Sequence, residues 1–161
     1  MKNNIATIFI CMAICMCATG AGAYEIDDAL VDAVIAIESS GRPDAWNRKT
    51  DCRGLMQVSQ IVLKEWDIEK SSFENSCAEY PPCKLCRKPK IDLFNPTDNR
   101  RVGTFYLRRL KDHYRAPSLK DVLASYNWGI SNCRRVNFEW ERYPKSVRAY
   151  VLKVLKVKEG K

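Results

Sequence analysis

The sequence lacks an apolar run long enough to cross a bilayer. Its N-terminal run, Ile5 to Ala18, holds 14 residues, whereas a membrane-spanning helix needs roughly 20. Lys2 precedes this run, and the small residues Ala21-Gly22-Ala23 follow it. This order is typical of a secretory signal peptide. We therefore predict a signal peptide over residues 1–23, cleaved after Ala23, and a periplasmic or secreted protein. A permanent N-terminal anchor is the weaker alternative.

The sequence also lacks internal repeats, low-complexity segments and convincing strand alternation. A chain of 161 residues, 46% of them hydrophobic, is long enough to bury its own core. These features predict one all-α domain over residues 24–161, with five to six helices. A short hairpin inside a cysteine-rich insert is the one exception left open.

Apolar spacing and capping residues predict where the helices lie. The first helix carries Ile26, Leu30, Val34 and Ile37 and ends before Gly41. Four further segments follow the same logic: Gly54 to Trp66, Asn95-Pro96 to about His113, Ser118 through Tyr126 with a stop at Gly129, and a last helix opened by Pro144. Between the second and third helices, Asp67 to Lys90 carries three prolines and three cysteines, and we predict an irregular insert there.

Five cysteines follow the predicted cleavage site: Cys52, Cys77, Cys83, Cys86 and Cys133. Export favours disulfides, and an odd number leaves at least one thiol over. The pairing is not fixed by the sequence. Two alternatives are weaker: a zinc site built on the three clustered cysteines, and a redox pair in the CxxC motif. We therefore predict no metal site and no cofactor.

The chain is basic, with a formal net charge of +8 that falls to +7 once the segment carrying Lys2 is removed. A basic protein suits a polyanionic partner. Nucleic acid, a membrane surface and an anionic cell wall all qualify on charge. Predicted export and the lack of an arginine-rich recognition helix argue against nucleic acid.

Glu38 is the candidate catalytic residue. It closes an apolar helix, directly after Ala36 and Ile37. The negative end of the helix dipole and desolvation by apolar neighbours both raise the pKa of a carboxyl group. A raised pKa is what a general acid needs near neutral pH. The alternative is a solvated glutamate at a helix end.

Several short motifs follow Glu38 in a characteristic order. They are Glu38-Ser39-Ser40-Gly41, Gly54-Leu55-Met56-Gln57, Phe94-Asn95-Pro96, Asn99 with Gly103-Thr104-Phe105-Tyr106-Leu107, Ala124-Ser125-Tyr126-Asn127-Trp128-Gly129, and Arg148-Ala149-Tyr150-Val151. In this order the segments resemble the soluble lytic transglycosylase (SLT) domain family, over about Asp27 to Val154. The resemblance implies a lysozyme-like α-helical fold and cleavage of peptidoglycan glycan strands.

The resemblance also implies roles for individual residues. Glu38 matches the family's catalytic glutamate. Six positions match residues that the family uses around its sugar site: Ser39, Met56, Gln57, Tyr126, Asn127 and Tyr150. Among them, Tyr150 matches the late tyrosine whose hydroxyl helps to position the glutamate. Gln57, on the predicted second helix, has no apolar reason to face inward, which favours a hydrogen bond to substrate.

For most of these residues, a purely structural role is the alternative to contact with the sugar. Ser39 fits a helix cap, and Met56 fits the core equally well. Tyr126 and Asn127 fit a hydrogen-bonded helix end, and Tyr150 lies on the apolar face of the last helix.

The chain departs from the family pattern in places. Ser125 and Trp128 replace smaller or more apolar residues, the segment Gly129 to Val136 is longer than a tight turn, and the insert from Phe73 to Lys90 is longer than usual. These departures change the cleft wall, and the role of the insert stays open.

A second carboxylate, which most glycosidases need, has only Asp44 and Asp51 as nearby candidates, and both fit a polar loop. The resemblance implies instead that Glu38 acts alone, as acid and then base, and forms a 1,6-anhydro sugar. Alternatives are a hydrolase of the goose-type lysozyme kind and a non-catalytic wall-binding subunit.

The predicted partners are peptidoglycan strands and, by family analogy, a secretion, conjugation or pilus apparatus. A monomer with no stable membrane span is expected.

Overall fold

The computed structural model describes residues 24–74 and 91–160. Within these ranges the elements are six α-helices, a two-stranded hairpin and one 3-10 helix. In chain order they are α1 (Asp28–Ser39), β1 (Trp46–Asn47), β2 (Cys52–Arg53), α2 (Gln60–Glu74), α3 (Pro96–Asp112), α4 (Leu119–Trp128), α5 (Ile130–Arg135), the 3-10 helix (Trp140–Arg142) and α6 (Lys145–Glu159). The predicted all-α class is confirmed.

Side-chain caps begin the helices where the sequence places them. The Asn95 side chain accepts hydrogen bonds from Thr97 N and Asp98 N, with Pro96 in the first turn of α3. The Ser118 hydroxyl accepts from Asp121 N at the start of α4. Such caps satisfy backbone N–H groups that the first turn leaves unpaired.

The predicted helix from Gly54 to Trp66 is wrong in its first half. Residues 54–59 form a loop, and α2 begins only at Gln60. Gly54 (φ 74°) and Gln57 (φ 47°) both lie in the left-handed region, which breaks a right-handed helix. Gln57 therefore lies on a loop and not on a helix.

The predicted insert also begins later than expected. Because α2 continues to Glu74, the segment after Asp67 is helical at its start. Residues 75–90, with Cys77, Cys83 and Cys86, lie outside the described residues, as does the predicted signal peptide over residues 1–23. The segment Gly129 to Val136, longer than a tight turn, folds as α5.

A short hairpin lies between α1 and the 54–59 loop, a region where the sequence predicts no strand. Trp46 pairs with Arg53 and Asn47 with Cys52 in antiparallel register. Strands of two residues carry no alternation, so the sequence pattern does not reveal them. Arg53 N also donates to Val58 O (3.1 Å), and Val58 N donates to Arg53 O (2.9 Å), which closes the 54–57 turn onto the hairpin.

The core forms where α1 packs against α6, and where α4 lies among α3, α5 and α6. Cys133 of α5 is buried, and both Cys133 and Cys52 are free thiols. In the described ranges, no helix combines the length and apolarity needed to span a membrane. The largest fully buried side chains are Tyr143, Leu30, Met56, Leu107, Leu110, Leu123, Val31, Val34, Val58, Val102, Val122 and Val151.

Asn99 ties the 54–59 loop to α3. Its fully buried side chain accepts from Met56 N (2.8 Å) and donates to Arg53 O and Leu93 O (2.7 Å each). Gly54 leaves the room for this contact, because a Cβ there would stand 2.2 Å from Asn99 Nδ2. One carboxamide thus bonds to backbone groups of the hairpin, the 54–59 loop and the segment before α3.

Asn99→Ala is expected to lower the free energy of unfolding by about 3 kcal/mol, since each buried backbone group left unpaired costs about 1–3 kcal/mol. Urea unfolding followed by circular dichroism measures the loss. Asn127→Ala is the matched control, because Asn127 is exposed, and it should change stability by less than about 0.5 kcal/mol. Equal stability of the two variants would show that the three hydrogen bonds of Asn99 do not stabilise the fold.

Candidate active site

Glu38 lies in the last turn of α1, which ends at Ser40 in the left-handed conformation (φ 54°). Its side chain is partly buried. Tyr150 of α6 donates a hydrogen bond from its hydroxyl to Glu38 Oε1 at 2.7 Å. The tyrosine is itself only 9% exposed, so the packing of α1 on α6 fixes the position of this pair.

Burial raises the pKa of Glu38 above its ordinary value, and the hydrogen bond from Tyr150 offsets part of that rise. The direction has a simple cause, because desolvation disfavours the charged carboxylate while a donor stabilises it. The predicted upward shift is confirmed, with burial as its main source. A carboxyl group in this setting holds its proton to higher pH than a solvated one.

Tyr126 connects this pair to α4. Its hydroxyl donates to Met56 O at 2.8 Å, and its ring packs at 5.8 Å from that of Tyr106. Burial, followed by the negative charge of Glu38, raises the pKa of Tyr126. Tyr126 is therefore a neutral hydrogen-bond donor near Glu38.

Met56 and Gln57 occupy the loop between the hairpin and α2. Met56 is fully buried against Gly103, where a Cβ would stand 2.4 Å from its sulfur. Its side chain thus has the core role that the sequence left open. The Gln57 amide donates to Ala45 O and Gly54 O, both at 3.1 Å. Its hydrogen bonds hold the loop, and contact with substrate stays a prediction.

Ser39 and Asn127 are the other two predicted substrate contacts. The buried Ser39 hydroxyl donates to Ile35 O at 3.2 Å, one turn back along α1. Asn127 is exposed in the last turn of α4. Neither side chain bonds to Glu38 in the described structure, and their sugar-binding roles remain predictions.

Asp51 and Asp44, the candidates for a second carboxylate, have other surroundings. Asp51 accepts hydrogen bonds from Trp46 Nε1 (2.9 Å) and Arg53 Nε (3.0 Å), which lower its pKa. Asp44 is exposed, and neither residue contributes to the pKa shift of Glu38. Among the residues that the structure describes, no second carboxyl group perturbs the pKa of Glu38.

Asn99 has an importance that the sequence reasoning missed. In the sequence, Asn99 is recognised only as part of a motif. In the structure, its side chain positions the loop that carries Met56 and Gln57. A signal exists, because a polar residue stands in register with Val102 and Tyr106 on the apolar face of α3. Such a residue needs buried partners.

Among the described residues, no group of three or more histidine, cysteine or acidic side chains is placed to hold a metal ion. The arrangement defines a class of site: an all-α frame that presents one partly buried carboxylic acid, braced by a tyrosine.

The family model described as Transglycosylase SLT domain matches residues 16–147. Two curated relatives are named membrane-bound lytic murein transglycosylase C. The one from Photorhabdus laumondii is 33% identical and the one from Pectobacterium atrosepticum 34% identical, each over 119 residues that make up 70% of this chain. This chain therefore belongs to the SLT domain family.

The solved 70 kDa soluble lytic transglycosylase of Escherichia coli has the same fold. The two superpose with a TM-score of 0.56 at 23% identity, over 83% of this chain and 21% of that one. The expected lysozyme-like SLT fold is thus confirmed. The chain spans about 30% of the length of the curated relatives it matches.

Glu38→Gln is expected to stabilise the folded protein relative to wild type as the pH rises. Near pH 4 the carboxyl group is protonated in both states, so the two proteins should be similarly stable. Above the ordinary glutamate pKa, the unfolded wild-type chain ionises first while the folded state holds its proton, so wild type loses stability that the variant keeps.

Urea unfolding at about pH 4 and about pH 8 measures this difference, with Glu159→Gln, an exposed site on α6, as control. A gap between Glu38→Gln and wild type that does not grow with pH would show that burial leaves the carboxyl group unperturbed.

Proposed function

We propose that this protein is a peptidoglycan lytic transglycosylase that cleaves the β-1,4 bond between N-acetylmuramic acid and N-acetylglucosamine. The observation that carries the proposal is Glu38, whose partly buried carboxyl group has a raised pKa and accepts a hydrogen bond from Tyr150. Membership of the SLT domain family supports the same reaction.

In the first step, protonated Glu38 donates its proton to the glycosidic oxygen. The bond between this oxygen and the anomeric carbon of the muramic acid breaks, and the oxygen leaves with N-acetylglucosamine as a hydroxyl group. A raised pKa suits this step, because the carboxyl group must still hold its proton near neutral pH.

In the second step, Glu38, now a carboxylate, takes the proton of the muramic acid C6 hydroxyl while that oxygen bonds to the anomeric carbon. The product is a 1,6-anhydro sugar, and Glu38 ends as it began. The nucleophile belongs to the same ring, so its effective concentration is high and no second carboxylate is needed to activate water. The reaction uses no metal or cofactor.

The neighbouring residues take supporting roles. Tyr150 orients the carboxyl group and stabilises its charged form. Gln57, Asn127 and Ser39 bind the sugar, while Met56 and Tyr126 support the cleft through the contact of the Tyr126 hydroxyl with the Met56 carbonyl.

The protein acts in the cell envelope, as a periplasmic or secreted monomer released by cleavage after Ala23. Both named relatives are called membrane-bound lytic murein transglycosylases, which supports a location in the cell envelope. Local opening of the wall for a secretion, conjugation or pilus apparatus is the biological role that we propose.

Glu38→Gln is expected to reduce the release of soluble muropeptides from purified sacculi by at least a hundredfold, within the roughly 10²–10⁴ that acid–base groups contribute. Glu159→Gln should keep full activity. Mass spectrometry of the wild-type products identifies the reaction. Anhydro ends are expected, whereas reducing ends would make the protein a hydrolase, and binding without release would make it a wall-binding subunit.

Tyr150→Phe is expected to shift the alkaline limb of the kcat/KM profile to higher pH. The lost hydrogen bond lowers the pKa of Glu38 in wild type, so its removal raises that pKa and the carboxyl group stays protonated longer. Rates on sacculi across a pH series measure the midpoint. Tyr114→Phe, which lies outside the site, should leave the midpoint in place, and a downward shift in Tyr150→Phe would contradict the assignment.

A further inference from the structure

Trp46, the first residue of β1, is a large aromatic side chain held in a fixed position on the surface. It is 48% exposed. Its indole N–H donates to Asp51 Oδ1 at 2.9 Å, and Asp51 is in turn held by Arg53. An exposed aromatic ring with a hydrogen-bonded edge keeps one orientation, unlike an isolated aliphatic residue such as Leu152, which is 54% exposed.

A second aromatic ring and a cation complete this surface. Phe94, 38% exposed, meets Trp46 edge to face with ring centroids 6.4 Å apart. The Arg48 guanidinium lies 4.9 Å from the centre of the Trp46 ring, and the guanidinium of Arg53, which is paired with Asp51, lies 5.5 Å from it. We call Trp46, Phe94 and Arg48 the Trp46 platform. Within the described ranges, Arg48 forms no salt bridge, so its charge is available to a ligand.

The Trp46 platform adjoins the candidate active site. Ala45, directly before Trp46, accepts hydrogen bonds at its carbonyl oxygen from Gly54 N (2.8 Å) and from Gln57 Nε2 (3.1 Å). One carbonyl group therefore joins the start of the hairpin to the loop that carries Met56 and Gln57. The platform and the loop that carries Gln57 are therefore direct neighbours in the fold.

We propose that the Trp46 platform is an additional subsite for glycan strands that carry carboxylates. The apolar face of a sugar ring stacks on the exposed indole, and Arg48 pairs with a carboxylate of the peptide attached to muramic acid. Aromatic rings offer rigid, amphipathic contact area, and guanidinium groups bind carboxylates with directional, charge-assisted hydrogen bonds. The inference rests on the proposed function, and it adds to that function a contact surface for the same strand outside the residues around Glu38.

The test measures initial rates against sacculus concentration for wild type, Trp46→Ala, Trp46→Phe and Arg48→Gln. Loss of one aromatic or charge-assisted contact is expected to raise KM about five- to tenfold in Trp46→Ala and Arg48→Gln, with kcat within about twofold of wild type. Trp46→Phe should recover part of the loss. Leu152→Ala and Lys153→Gln, exposed positions on α6, are the matched controls and should keep the wild-type KM.

Sacculi with amidated carboxyl groups test the charge. On these sacculi Arg48→Gln and wild type should have the same KM, whereas Trp46→Ala should remain weakened. An Arg48→Gln defect of equal size on both substrates would overturn the carboxylate contact.

Co-sedimentation with sacculi separates this proposal from the proposed function. If wild type releases no muropeptides but Trp46→Ala binds sacculi less well than Leu152→Ala, the subsite stands and the catalytic proposal fails. If wild type is active while Trp46→Ala and Arg48→Gln keep both its KM and its binding, the subsite is overturned and catalysis stands. Arg48→Gln leaves the contacts of Trp46 with Asp51 in place, so it tests the subsite even if Trp46→Ala disturbs the hairpin.

Discussion

The buried side chain of Asn99 is the interaction on which the site depends. Its three hydrogen bonds reach Met56 N, Leu93 O and Arg53 O, the last of which also accepts from Val58 N, and they fix the loop that carries Met56. Because the Met56 carbonyl accepts the Tyr126 hydroxyl, the position of one carboxamide on α3 is passed to α4. The residues around Glu38 are therefore positioned by a series of directional contacts between elements, and not by apolar packing alone.

Glu38 lies under two opposing influences of its own surroundings. Burial favours the neutral acid, and the Tyr150 hydroxyl favours the carboxylate. A group that must first give a proton and then take one back is served by this balance, since either influence alone would favour one half of the cycle. The packing of α6 on α1 produces both the burial and the hydrogen bond, because α6 covers α1 and also carries Tyr150.

The sequence predicted those parts of the fold that depend on local rules. The caps at Asn95 and Ser118, the stop at Gly129 and the raised pKa of Glu38 follow from short-range chemistry. The sequence did not predict the 54–59 loop. Leu55 and Val58 have helical spacing, although the backbone turns left-handed at Gln57. That conformation depends on Asn99, which is far away in sequence. The predicted sugar contacts of Ser39 and Asn127 rest on the family resemblance, because their contacts within the protein do not define a sugar site.

The hydrogen bond between Tyr150 and Glu38 joins residues 112 positions apart, on the first and the last helix of the described fold. Contacts of such long sequence separation carry a large loop-closure cost and form slowly, and this one cannot form before α6 has been synthesised. In a partly synthesised or partly folded chain, Glu38 would lack the hydrogen bond from Tyr150 and would be exposed to solvent. The proposed activity would thus be absent until α6 docks, because only then does Tyr150 hold the carboxyl group of Glu38.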